Sequence, residues 1–242
     1  MKKGGNIIKG GYTYYDTPIG IICLDAKIPR PRGHLRNPLT FDFPIVCKIL
    51  KGIDVPRLLF NFSDELIEPF INAAKELEQE GVKAIVGSCG FMARYQKNVV
   101  EAVKIPVLLS SLLQIPLIRL MHGSDCKIGI LTASSSALQK EHFEQLGEDI
   151  NSVLIHGMES FPEFRETILE KGGSDTDLDI LEQEICTAAE KIYIEGDLDA
   201  LLLECTDLPP FASKIQKIIS IPVYDINSLV NFAQYAVCRR KY

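Results

Sequence analysis

The chain has 242 residues, 46% of them hydrophobic, enough for one large domain or two lobes with a real core. Thirty-two acidic against 26 basic residues give a net charge of −6, which argues against nucleic acid or an anionic membrane as partner and favours a small molecule. Seven cysteines, an odd number with no C-x-x-C pair, suit neither a disulfide framework nor a zinc ribbon and read as free thiols of a reducing cytosol.

Taken in chain order, Met1-Lys2-Lys3 is basic, but Gly-, Asn- and Tyr-rich sequence follows where a secretory signal needs an apolar stretch, so residues 1–14 read as a flexible leader. Strands are expected near Ile19 to Leu24, Val55 to Leu59, Ala84 to Gly87, Val107 to Leu109, Lys127 to Leu131, Val153 to Ile155, Ala200 to Leu203 and Val223 to Asp225. Between them, helices are expected over Asp64 or Glu65 to Glu80, Phe91 to Val103, Leu112 to Met121, Ser135 to Leu146, Leu178 to Ile194, Phe211 to Ile219 and Ile226 to Arg239. Ser63 or Asp64 can cap the first of these, and Gly81 can end it in a left-handed turn. Short Ile/Val/Leu runs alternating with amphipathic stretches predict an α/β fold, a mostly parallel sheet flanked by helices. The apolar region from Ile105 to Met121 is broken by Ser110, Ser111, Gln114, Pro116 and Arg119 and leaves no membrane span.

One passage occurs twice. Glu80-Gly81, Ala84-Ile85-Val86, Cys89 and Ile105-Pro106-Val107 are matched by Glu195-Gly196, Ala200-Leu201-Leu202-Leu203, Cys205 and Ile221-Pro222-Val223. Each cysteine stands 17 residues before its proline, while the glycine-to-cysteine spacings are 8 and 9. The repeat predicts two pseudo-symmetric lobes: residues 15–113 with the returning tail 215–242, and residues 114–214. In a two-fold arrangement it aims two sulfurs at one point between the lobes.

Both cysteines fall just past the carboxyl end of a strand, where an α/β sheet opens its ligand crevice, and each precedes an expected helix start. Unpaired backbone N–H groups there lower a thiol's pKa and bind carboxylates. A thiolate on one face of a carbon and a thiol on the other can remove an α-hydrogen and return it inverted, with no cofactor required. Isolated free cysteines are mostly packing residues, and Cys23, Cys47, Cys126, Cys186 and Cys238, which have no counterpart in the repeat, are read so.

Ser88, the backbone of Gly90, Thr132 and Thr206 lie at strand ends where they can hold an α-carboxylate, with helix capping as the alternative; Ser110 and Ser111 follow the same logic. Asp25 can receive an ammonium group or simply form a turn. The loop from Pro29 to Pro38 sets Arg30, Arg32, His34 and Arg36 among three prolines. One or two of its arginines, Arg30 and Arg32 first, can read a second acid group, unless the loop is only solvated. Asn37 ends it as a further candidate. His122, His142 and His156 lack metal-ligand spacing, so no metal is expected. Glu204 is expected to point to the far side of its strand.

At Ile19-Gly20-Ile21-Ile22, Gly87-Ser88-Cys89-Gly90-Phe91, Ile128-Gly129-Ile130-Leu131-Thr132 and Glu204-Cys205-Thr206, the chain resembles the cofactor-independent aspartate/glutamate racemase superfamily, which includes hydantoin racemases. The resemblance covers most of the chain from about Pro18. It implies an active site between two lobes, often a homodimer, and a PLP-independent racemase or epimerase of an amino acid or related carboxylate, with Cys89 and Cys205 as acid/base pair. Asp207 stands where glutamate racemases typically carry a histidine soon after the second cysteine, and Asp25 lacks their Asp-Ser pair, which argues against glutamate itself. Two cysteines also argue against the superfamily's decarboxylases, which keep one. Maleate-type cis-trans isomerisation through a cysteine nucleophile, or non-catalytic binding of a small acid, are the alternatives.

Overall fold

The structure is a computed structural model describing residues 10–170 and 175–239. It contains two four-stranded parallel sheets. The first holds β1 (Ile19–Leu24), β2 (Ile45–Leu50), β3 (Ala84–Gly87) and β4 (Val107–Leu108) in the order β2-β1-β3-β4. The second holds β5 (Ile128–Thr132), β6 (Leu154–Gly157), β7 (Ala200–Leu203) and β8 (Val223–Tyr224) in the matching order β6-β5-β7-β8. The two lobes therefore repeat one topology, and β3 and β7, which lead into Cys89 and Cys205, are equivalent strands.

The inner strands are buried along their whole length because helices cover both faces, so their sequences are unbroken apolar runs. In β1, Ile19 lies opposite Ile45 of β2 and Ala84 of β3. The helix Ile67–Glu80 lays Phe70, Ala73, Ala74 and Leu77 into the first core. It ends, as the sequence predicts, on Gly81 at φ 107°, a left-handed conformation that favours glycine. A Cβ there would also overlap Tyr12 and the carbonyl of Tyr14. Tyr14 donates its N–H to Glu80 O at 2.8 Å, so Tyr12 and Tyr14, in the expected leader, lie against this helix end; residues 1–9 lie outside the described residues.

Several expectations are corrected. The segment Val55–Phe60 is a helix, not a strand: Asp54 accepts the Arg57 N–H at 2.9 Å, and Pro56 sits in the first turn. The second strand is instead Ile45–Leu50, an edge strand covered on one face, whose interior Lys48 obscures its pattern. The helix expected over Ser135 to Leu146 shrinks to Lys140–Glu144, starting at a cap on Gln139. The helix expected from Phe91 begins as a 3-10 turn, Gly90–Tyr95, before Gln96–Ala102.

The tail crosses between lobes later than residue 215. Ala212–Ile219 and β8 stay with the second sheet, Leu201 pairing with Val223, and only the helix Ile226–Val237 returns to pack Ile226 and Val230 with Ile19, Ile21 and Val86. Asp225 caps this helix through Ser228. Two further bonds lace the lobes together: Ser111 Oγ donates to Leu203 O at 2.9 Å, and Gln114 Nε2 donates to Asp225 O at 2.8 Å. Among the described residues, no helix is long and apolar enough to cross a membrane.

Candidate active site

Cys89 and Cys205 line one cavity between the lobes. It is a small, narrow cavity, which suits a small, closely held molecule. The two cysteines have mirrored backbones. The carbonyl of each accepts an N–H three residues on, from Met92 and from Leu208, and the sulfur of each receives the N–H two residues on, from Phe91 and from Asp207. These are turns and short 3-10 segments, not the starts of long helices, and their effect on the thiols is outweighed. Burial raises both thiols well above the ordinary range; Glu204 and then Asp207 add to this at Cys89, Asp207 and then Glu204 at Cys205. The lowered thiol pKa expected from the sequence is thus reversed.

The two sulfurs differ in their partners. Cys205 Sγ donates to Asp207 Oδ2 at 3.6 Å, and Asp207 Oδ1 lies 3.2 Å from His34 Nε2. His34 Nδ1 accepts the Arg36 N–H at 2.9 Å, which assigns the ring proton to Nε2 and makes His34 the donor to Asp207. Burial would raise the Asp207 carboxyl, but His34, Arg30 and the Cys205 thiol together outweigh it and hold it below the usual carboxylate range. Cys89 has no such unit beside it.

Arg30 and Arg36 also line the cavity. Arg30 is tied to the loop backbone, donating to Ile28 O at 2.6 Å and Ala26 O at 2.8 Å, while its buried Nε–H has no acceptor. Arg36 donates to Leu24 O at 3.1 Å. Burial, then the charge of the neighbouring Arg36, lowers the Arg30 pKa, and Asp207 opposes them only in part, so the two guanidiniums form a close pair. Such a pair is prepared for an anion.

Of the residues singled out in the sequence, Cys89, Cys205, Ser88, Thr206 and Arg30 line the cavity. Ser88 and Thr206 also join the lobes, since Thr206 Oγ1 donates to Ser88 O at 2.6 Å, while Ser88 Oγ accepts the Leu24 N–H. Gly90 and Thr132 stand behind the wall, around Glu204. Asp25 faces away, accepting the Gly52 N–H near Lys51. Asn37 braces the loop through Arg30 O and the Leu39 N–H, Ser110 caps Leu112, and Arg32 is exposed outside the cavity.

Arg36, one of the loop arginines offered after Arg30 and Arg32, lines the cavity as well, and three polar lining residues had no role assigned from the sequence: His34, Glu204 and Asp207. Contrary to expectation, Glu204 is among the residues that line the cavity. Alternation ends with β7 at Leu203, and the next residue follows the turn instead of the pleat. Cys47 is likewise no packing residue. It is exposed on the edge strand and hydrogen-bonds Cys23 and Arg36, which lower its pKa to about 7.

Comparison with known proteins agrees with this architecture. The Asp/Glu/hydantoin racemase family model matches residues 69–230. A dimethylsulfoniopropionate lyase from Durusdinium sp. clade D is 29% identical over 215 residues, covering 86% of this chain and 70% of the relative. Dimethylsulfoniopropionate lyase 5 of Emiliania huxleyi is 32% identical over 231 residues, covering 90% of this chain and 45% of the relative. The chain thus spans only about half the length of several curated relatives that it matches. Among solved structures, the aspartate racemase of Picrophilus torridus superposes with a TM-score of 0.58 at 17% identity, over 91% of this chain and 93% of that one. The fold expected from the resemblance is therefore the one present, and the chain belongs to the Asp/Glu/hydantoin racemase family.

Proposed function

We propose that the chain is a carbanion-forming enzyme: a cysteine thiolate in the interlobe cavity takes a proton from the carbon α to a carboxylate. The observation that carries this reading is the mirrored pair of thiols on a cavity that Arg30 and Arg36 also line. Arg30 and Arg36 bind the carboxylate, and their charge stabilises the enolate-like carbanion as it forms. The thiolate gains the proton. The former C–H electron pair then either captures a proton on the other face, which inverts the centre, or forms a double bond to the β carbon as a leaving group departs.

We favour elimination. The curated relatives named above are dimethylsulfoniopropionate lyases, and in such a substrate the β-carbon–sulfur bond breaks with its electron pair leaving on sulfur, giving a neutral thioether and acrylate. The inequality of the two sulfurs suits a reaction that runs in one direction, because elimination needs one base. Racemisation is the second reading, favoured by the presence of both thiols on one cavity, since it needs an acid and a base that exchange roles.

The test is product analysis with the intact protein. Dimethylsulfoniopropionate is incubated with enzyme and assayed for dimethyl sulfide and acrylate, while both enantiomers of a panel of amino acids and hydantoins are assayed for inversion. Acrylate release supports elimination, and inversion supports racemisation. Neither product across the whole panel would contradict the carbanion reading.

A further inference from the structure

Glu204 is a fully buried carboxylate on the cavity wall with half of its bonding unused. Its Oε2 accepts the Thr132 hydroxyl at 2.7 Å, and the Ala133 N–H also bonds the carboxylate, but Oε1 has no hydrogen-bond partner. No basic side chain is among the groups that act on it, which are Thr132 and the Ala133 N–H. Gly90 makes the room, since a Cβ at that position would overlap Oε1. The ring of Phe91, held edge-on by His142 at 5.4 Å between centroids, lines the same cavity. A buried, uncompensated carboxylate costs several kcal/mol unless a cation meets it.

We propose that Glu204, on a cavity that Phe91 also lines, receives the cationic group of the substrate, so that the cavity selects small zwitterions carrying a carboxylate at Arg30 and Arg36 and an onium group at Glu204. This rests on the reading above for the carboxylate end and deepens it by naming the substrate class. A quaternary ammonium or tertiary sulfonium ion has no N–H or S–H to donate, and a desolvated carboxylate with a free oxygen on a cavity that an aromatic residue also lines matches it through charge and cation–π attraction. Binding also acts on the reaction. The Glu204 charge raises the pKa of both cysteines, and an adjacent cation cancels that field, so the occupied cavity holds a thiolate more readily than the empty one.

The test uses two ligands of one shape: trimethyl-β-alanine, a quaternary ammonium carboxylate, and its carbon isostere with tert-butyl in place of trimethylammonium. Binding to the intact protein is measured by calorimetry at pH 8. Wild type should prefer the cationic ligand by about tenfold or more, and Glu204→Gln should bring the two within about twofold. As a check independent of the variant's folding, wild type at pH 7 should release protons on binding the cationic ligand and not on binding its isostere, because the cation ionises Glu204. No preference in wild type, an unchanged preference in Glu204→Gln, or no proton release would overturn the proposal. Turnover is not scored, so a protein that shows the preference yet makes no product contradicts the proposed reaction and leaves the Glu204 assignment standing.

Discussion

Replacing Glu204 by glutamine should flatten the dependence of stability on pH between about 4.5 and 7. Burial, opposed only by the Thr132 hydroxyl and the Ala133 N–H, raises this carboxyl from an ordinary 4.5 to about 7. Between those values the folded protein binds more protons than the unfolded chain, so stability falls as pH rises. The favourable contribution is complete below 4.5 and gone above 7. At about 1.4 kcal/mol per pH unit, the window is worth about 3 kcal/mol. Urea unfolding of wild type and variant at several pH values from 4.5 to 8 isolates the effect, because every other titrating group is common to both. The stability of wild type relative to Glu204→Gln should decline by about 3 kcal/mol across the window. A difference that stays constant with pH would refute the claim that Glu204 is buried without a cation.

Asp207→Asn should speed alkylation of Cys205 by iodoacetamide at pH 8 several-fold, because the Asp207 charge is the largest influence after burial that keeps that thiol protonated; peptide mass spectrometry reads it, and slower labelling would instead make Asp207 a base for the sulfur. Cys47, exposed and hydrogen-bonded to Cys23 and Arg36, should be the first thiol labelled at pH 7, ahead of both cavity cysteines, with first labelling at Cys89 or Cys205 the contrary result. Gly90→Ala should destabilise the protein by about 1–3 kcal/mol, since the new methyl meets both the side chain and the carbonyl of Glu204; a thermal midpoint equal to wild type would show that the close approach is not real.

What could be read from the sequence follows from where the information lies. The limits of β1, β3 and β7 are legible because strands buried on both faces are uninterrupted apolar runs, and Gly81 announces its helix end because few other residues take that turn. The edge strand β2 is not legible: one face meets solvent, and the neighbouring Val-Pro-Arg-Leu-Leu run mimics a strand better until Asp54 is seen to cap it. The cysteines were found because the repeat carries them twice. Their partners were missed because Asp207 is positioned by His34, which belongs to a loop of the other lobe, and no local pattern records that contact. Glu204 escapes strand alternation because β7 ends one residue before it, at Leu203. Arg36 shares a loop with Arg30 and Arg32, but only the fold shows that Arg32 faces solvent while the other two turn inward.

The most direct measurement is exchange of the α-proton in deuterium oxide, followed by proton NMR on a substrate identified by product analysis, or on trimethyl-β-alanine as a slowly reacting analogue. Wild type should lose the α-proton signal, and the folded double variant Cys89→Ser/Cys205→Ser should retain it fully. Exchange at the wild-type rate in the double variant would show that the proton leaves by another group and would contradict the role assigned to the paired thiols.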